Sequence, residues 1–226
     1  MPLLAFPSDP GRLPAPGHPE QVETGLAHWR ERAADSGDPG LDAFARDVAD
    51  DSTGRALLAA VFGSSPFLGD CLLAEMPFAR RLLTEGPDAA RRAIDADLAA
   101  LDGVEEDALR RGLRIQRRRG ALTVALADIA GAWPLEQVTG TLTDFAERAL
   151  GLAVRHLLRE AAAAGHIALA DPAEPDHGSG YIVLGMGKFG ARELNYSSDI
   201  DLIVLFDDAR VRYVGREDVG ACFVRI

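Results

Sequence analysis

From Val22 to Gly165 the sequence repeats apolar residues at three- and four-residue steps and nowhere alternates as a half-buried strand would. Two short aliphatic runs then follow, "YIVL" (Tyr181–Leu184) and "DLIVLF" (Asp201–Phe206), each bounded by turn residues. This change of texture restricts the chain more than any other feature. A helical stretch followed by β-branched runs gives an α+β protein with its helices and sheet segregated along the chain. Between the runs lie a glycine loop and then only Ala191 to Ser198. A parallel crossover needs about a dozen residues or more, so the two strands are expected to pair antiparallel.

The same reading divides the chain into four segments. Residues 1–20 contain six prolines with Gly11 and Gly17, and they read as a flexible Pro-rich arm. Residues 21–170 form a helical domain. Ser65 before Pro66 marks a helix start, and Asp88–Leu101 and Leu109–Ile129 carry helical spacing. Val138, Leu142, Phe145, Ala149 and Leu152 share one face of a long helix beginning near Pro134. "DPAEPDHGSG", residues 171–180, is a linker. Residues 181–226 begin a second domain. Two strands and one unfinished apolar stretch, "VGACFVRI", do not close a core, so the chain reads as a fragment of a longer protein, inactive by itself.

A formal charge of −11 argues against non-specific nucleic-acid binding. Cys71 and Cys222 stand far apart without a partner motif, which suits a reducing compartment. There is no secretory signal pattern and no spanning apolar run, and the expected location is the cytoplasm.

The chemistry is concentrated in Gly185–Asp201. Gly185, Gly187 and Gly190 match G-x-G-x-x-G after a strand, with Asp207 or Asp208 about 20 residues on, where a dinucleotide fold places its ribose-binding acid. The short connection counts against that reading, and Ala191 after Gly190 counts against a Walker loop. Asp199 and Asp201 are expected at the head of the second strand, where residues two apart face one side. Like charges there repel unless a cation lies between them. Mg2+ fits two carboxylates, several waters and phosphate oxygens. Lys188 and the loop amides would meet the phosphate. A bare D-x-D is more often an ordinary turn, but the adjoining glycine loop and aliphatic strand favour the metal reading.

The stretch "GMGKFGARELNYSSDIDLI" resembles the signature of the bifunctional glutamine synthetase adenylyltransferase/adenylyl-removing enzymes, which are polymerase-β-like nucleotidyltransferases. The likeness continues upstream through "SSPFLGDCLLAEMPFARRLL" and "LRIQRRRGALTVALADIAG" and covers roughly residues 22 to 226. It implies that residues 181–226 start a nucleotidyltransferase domain, similar to the first, adenylyl-removing copy of the two in that family. Asp199 and Asp201 would then be catalytic and metal-binding. Gly185, Gly187 and Lys188 would lie on the nucleotide loop, with Ser198 helping to hold phosphate. The implied reaction is phosphorolysis of AMP from a tyrosine of glutamine synthetase, with orthophosphate entering and ADP leaving, while the second copy uses ATP. The implied cofactor is Mg2+, and the implied partners are glutamine synthetase and a nitrogen-signalling regulatory protein. The family's third carboxylate is expected on a later strand, beyond residue 226. Asp207, Asp208, Glu217 and Asp218 are present but sit on no convincing strand facing the pair.

Two other readings remain at this point. A dinucleotide-binding domain would take NAD or FAD without a divalent metal. A non-catalytic helical interaction module would bind glutamine synthetase even without both aspartates. Arg110, Arg111, Arg114, Arg117, Arg118 and Arg119 read as a solvated face paired with acids such as Glu105, Glu106 and Asp107, the alternative being a dock for an acidic partner surface or for phosphate. Five scattered histidines lack ligand spacing, and Trp29 and Trp133 are expected to anchor helix packing.

Overall fold

The computed structural model describes residues 3–7, 9–207, 209–216 and 219–224. Asp208, Glu217 and Asp218 lie outside the described residues. The chain is mostly helical with one small sheet, an α+β architecture, and it divides into two compact units. One comprises residues 1–97 and 114–138, the other residues 98–113 and 139–226.

The first unit is built from α1 (Pro19–Ala34), α2 (Pro39–Asp50), α3 (Ser52–Phe62), α4 (Pro66–Ala74), α5 (Met76–Glu85) and α6 (Pro87–Ala99), with the C-terminal part of α7 (Glu106–Ile129). Its boundaries are chemical. Asp38, Asp51 and Ser65 cap α2, α3 and α4 by accepting backbone N–H groups, and proline occupies the first turn of α1, α2 and α4. Proline costs nothing there, because those N–H groups have no intrahelical acceptor. The Ser65 hydroxyl accepts from Leu68 N–H, as the sequence led us to expect. Ser65→Ala should lower stability by about 1 kcal/mol in urea denaturation. At Asp38 the Leu41 and Gly40 amides, and then the Arg80 guanidinium, hold the carboxyl below its usual pKa. Its contribution is complete above the unfolded value and is lost as the pH falls through the lowered folded value.

Helices α1, α2 and α3 pack mutually around Trp29, Leu26, Leu41, Leu57 and Leu58, all essentially inaccessible. Trp29 satisfies its indole N–H on the Ala45 carbonyl at 3.0 Å. The N-terminal segment departs from the expected flexible arm: Leu4 and Phe6 are buried, and Ala5 N–H donates to the Leu83 carbonyl. Its proline spacing hides two apolar side chains whose burial outweighs the loss of freedom. Half of the arginine stretch on α7 pairs with acids, though not chiefly those next to it in sequence. Arg110 meets Glu106, whereas Arg118 and Arg119 converge on Glu75, and Arg119 also reaches Asp97.

The second unit contains most of α8 (Leu135–Ala163), strands β1 (Tyr181–Gly185) and β2 (Leu202–Phe206), and the short helices α9 (Gly187–Gly190) and α10 (Val219–Phe223). The strands pair antiparallel, with Tyr181 opposite Phe206 and Gly185 opposite Leu202. Leu158, Ala161, Ile167, Cys222 and Phe223 form a core against which Tyr181 packs. Phe223 stacks on Tyr181 and Phe206 with ring centroids 5.6 and 5.2 Å apart. The opposite face of the hairpin, with Ile182, Leu184, Ile203 and Leu205, is exposed. The linker 171–180 is tied to α8: Arg155 and Arg159 donate to the Ala173 carbonyl and both pair with Asp102. No helix among the described residues is long and apolar enough to cross a membrane.

Candidate functional site

The hairpin and its connection bring the predicted glycines, Lys188 and both aspartates into one short segment. β1 ends at Gly185, the chain turns through Met186 and Gly187, and α9 makes a single turn before the segment returns to β2. Each glycine has a local steric reason. A Cβ on Gly185 would come within 2.6 Å of the Phe189 ring, and one on Gly190 would lie 2.3 Å from the Gly185 carbonyl oxygen. Gly187 has φ 53°, the left-handed region that side chains disfavour. The glycines therefore fold α9 back tightly over the end of β1, and Phe189 fills the space beneath.

That turn sets where Asp201 lies. Met186 N–H donates to the Asp201 carbonyl at 2.9 Å, one residue past the last ladder pair. The Asp201 carboxylate oxygen Oδ2 lies 3.8 Å from the position a Gly187 Cβ would take. The aspartates are not strand residues as expected: β2 begins at Leu202, with Asp201 at its threshold and Asp199 before it. The ladder stops because the left-handed turn at Gly187 carries the partner strand away. Both aspartates are exposed, and so is Lys188.

Ser198 closes the connecting turn. Its hydroxyl accepts Asn195 N–H at 3.1 Å and donates to Asn195 Oδ1, so both of its hydrogen-bonding roles are engaged within the loop. Asp207 is at the far end of β2, roughly 20 Å from Asp201 at strand rise. It caps its own turn, accepting from Ala209 N–H, and stands apart from the pair. No group of three or more His, Cys, Asp or Glu side chains is gathered for a metal among the described residues. The exposed donors that the loop does supply are carboxylate oxygens, the hard ligands that Mg2+ takes alongside water and phosphate. In donor chemistry the pair fits Mg2+ as two ligands of a larger set. The antiparallel pairing removes the crossover that a dinucleotide fold requires.

Arg192 was not foreseen. It has φ 61°, and its guanidinium pairs with Asp144 and Glu147 on α8. Hydrogen bonding to Asp144 is the main cause of its raised pKa. Nothing in the spacing of "GKFGARELN" announces a left-handed arginine or its partners some fifty residues upstream.

A family profile described as glutamate-ammonia ligase adenylyltransferase matches residues 56–225. Curated relatives carry the name bifunctional glutamine synthetase adenylyltransferase/adenylyl-removing enzyme. One from a Bradyrhizobium species is 43% identical over 214 residues, covering 92% of this chain and 21% of the relative. One from Brucella suis is 41% identical over 199 residues, covering 86% and 20%. A third, from Xanthobacter autotrophicus, is 43% identical over 174 residues, covering 76% and 18%. The chain spans about a fifth of the length of the curated relatives it matches.

Proposed function

Because this chain belongs to the glutamate-ammonia ligase adenylyltransferase family, we propose that residues 181–226 open a nucleotidyltransferase domain that removes AMP from a tyrosine of glutamine synthetase. The observation that carries the reading is the Gly187 turn, which sets the Asp201 carboxylate against the glycine loop. Phosphate groups and the charge that must balance them would meet at this point.

In the proposed reaction an orthophosphate oxygen attacks the AMP phosphorus. The bond from that phosphorus to the tyrosine oxygen breaks, the tyrosine oxygen takes up a proton, and ADP leaves. Asp199 and Asp201 would hold Mg2+, which when bound offsets charge on the attacking and leaving oxygens. Lys188, exposed on α9, would add a positive charge beside the incoming phosphate, and the Gly185–Lys188 backbone would approach it closely. Ser198 serves by shaping the loop through Asn195 and reaches phosphate only if that bond opens. In a complete nucleotidyltransferase domain further strands would extend the edges of this hairpin, and packed helices would cover its exposed apolar face. The setting is the cytoplasm, where glutamine synthetase and a nitrogen-signalling regulatory protein would be the partners.

The test is phosphate-dependent ADP release from adenylylated glutamine synthetase by a chain carrying the whole domain. Lys188→Met keeps most of the stem and deletes the charge. It should weaken apparent orthophosphate affinity by about 1.5–3 kcal/mol with little change in stability. Unchanged affinity would place the ammonium in solvent and leave phosphate to the backbone alone. Absence of phosphorolysis in the unsubstituted protein would overturn the adenylyl-removing assignment.

A further inference from the structure

The turn after α9 is closed in an unusual way for its sequence. Glu193 N–H donates to the Lys188 carbonyl at 2.8 Å, and Arg192 N–H donates to the Phe189 carbonyl at 3.1 Å. This is the Schellman arrangement, whose left-handed position is normally glycine because a Cβ is disfavoured there. Here the position is Arg192, with φ 61°. A glycine would make the same turn with less strain, so the arginine side chain must give something the backbone does not need. It reaches two carboxylates on α8, Asp144 by a hydrogen bond and Glu147 at 3.4 Å.

The segment from Arg192 to Asp201 holds both candidate metal ligands. Leu194 is buried, the Asn195–Ser198 turn is internal to it, and Asp201 joins the ladder through Met186. We propose that Arg192 is a positioning residue: its ion pairs with Asp144 and Glu147 strap the aspartate-bearing loop to α8 and so set where Asp199 and Asp201 stand. The catalytic consequence rests on the proposed function above, but the strap does not.

Amide hydrogen exchange on the 226-residue chain tests the strap without any turnover. Arg192→Gly removes the side chain while suiting the backbone, so the β1–β2 ladder amides should keep their protection. The Glu193 and Ser198 amides should exchange about three- to tenfold faster, the range expected when exposed ion pairs no longer oppose local opening. Arg192→Asp should do the same, and adding Asp144→Arg to it should restore slow exchange by reversing the pair. Loop exchange unchanged in Arg192→Gly, or a double variant as fast as Arg192→Asp, would overturn the proposal. In a protein carrying the whole domain, the strap predicts a several-fold fall in kcat for Arg192→Gly, with KM for orthophosphate unchanged and recovery in the double variant. An enzyme inert before any substitution would overturn the phosphorolysis reading, while the exchange measurement would still decide the strap.

Discussion

Asp201→Asn, in a chain carrying the whole nucleotidyltransferase domain, is expected to lower phosphate-dependent ADP release by about a thousandfold or more. The substitution changes one oxygen to an amide nitrogen and leaves the volume almost untouched. It removes a formal negative charge where a divalent cation would be held, and such charge neutralisation is worth several kcal/mol in a phosphoryl-type transition state. The fold should not notice. Asp201 is exposed, and it enters the hairpin through its backbone carbonyl, which accepts Met186 N–H and is unaltered in the variant. Circular dichroism and melting should therefore match the parent protein. Near-normal turnover in the folded variant would sink the metal assignment.

Glu75→Ala is expected to destabilise the helical unit by about 3–5 kcal/mol, the largest effect foreseen outside the candidate site. Glu75 is only 6% exposed, at the start of α5. Its carboxylate accepts from Arg118 Nε at 2.9 Å and from Arg119 Nε at 2.9 Å. Arg119 also reaches Asp97 and lies 5.2 Å from the centroid of the Phe78 ring. Removing the carboxylate leaves two arginines facing each other around a partly dry site, which costs more than the pair itself contributes. Urea denaturation of the purified chain measures it. A change below about 1 kcal/mol would mean that solvent replaces Glu75 as the partner of both arginines.

Local chemistry was legible in the sequence to the extent that it is local. Ser65 before Pro66 marked the start of α4, because a cap needs only residues within one turn. The short Ala191–Ser198 connection predicted antiparallel strands, because chain reach forbids a crossover. What escaped depends on partners distant in sequence. Glu75 was not among the acids expected for the arginine stretch, because its pairing with Arg118 and Arg119 comes from how α5 and α7 pack. Leu4 and Phe6 were hidden among prolines, and the contact that holds them, Ala5 N–H on the Leu83 carbonyl, comes from a partner far away in sequence. At the site, the residue types and their proximity were readable from "GMGKFGARELNYSSDID". The end of the ladder at Leu202 was not, since it is set by the left-handed turn of Gly187 in the opposite strand. Arg192 was invisible for the same reason, because its partners Asp144 and Glu147 lie on α8.

The central claim, that Asp199 and Asp201 hold a divalent cation for AMP removal, is tested most directly by Mn2+ titration followed by electron paramagnetic resonance on a chain carrying the whole domain. The parent protein should remove Mn2+ from the free-ion signal, and Mg2+ should compete. The Asp199→Asn/Asp201→Asn double variant, folded by circular dichroism, should lose that binding. Undiminished, Mg2+-competed Mn2+ binding in the double variant would contradict the claim.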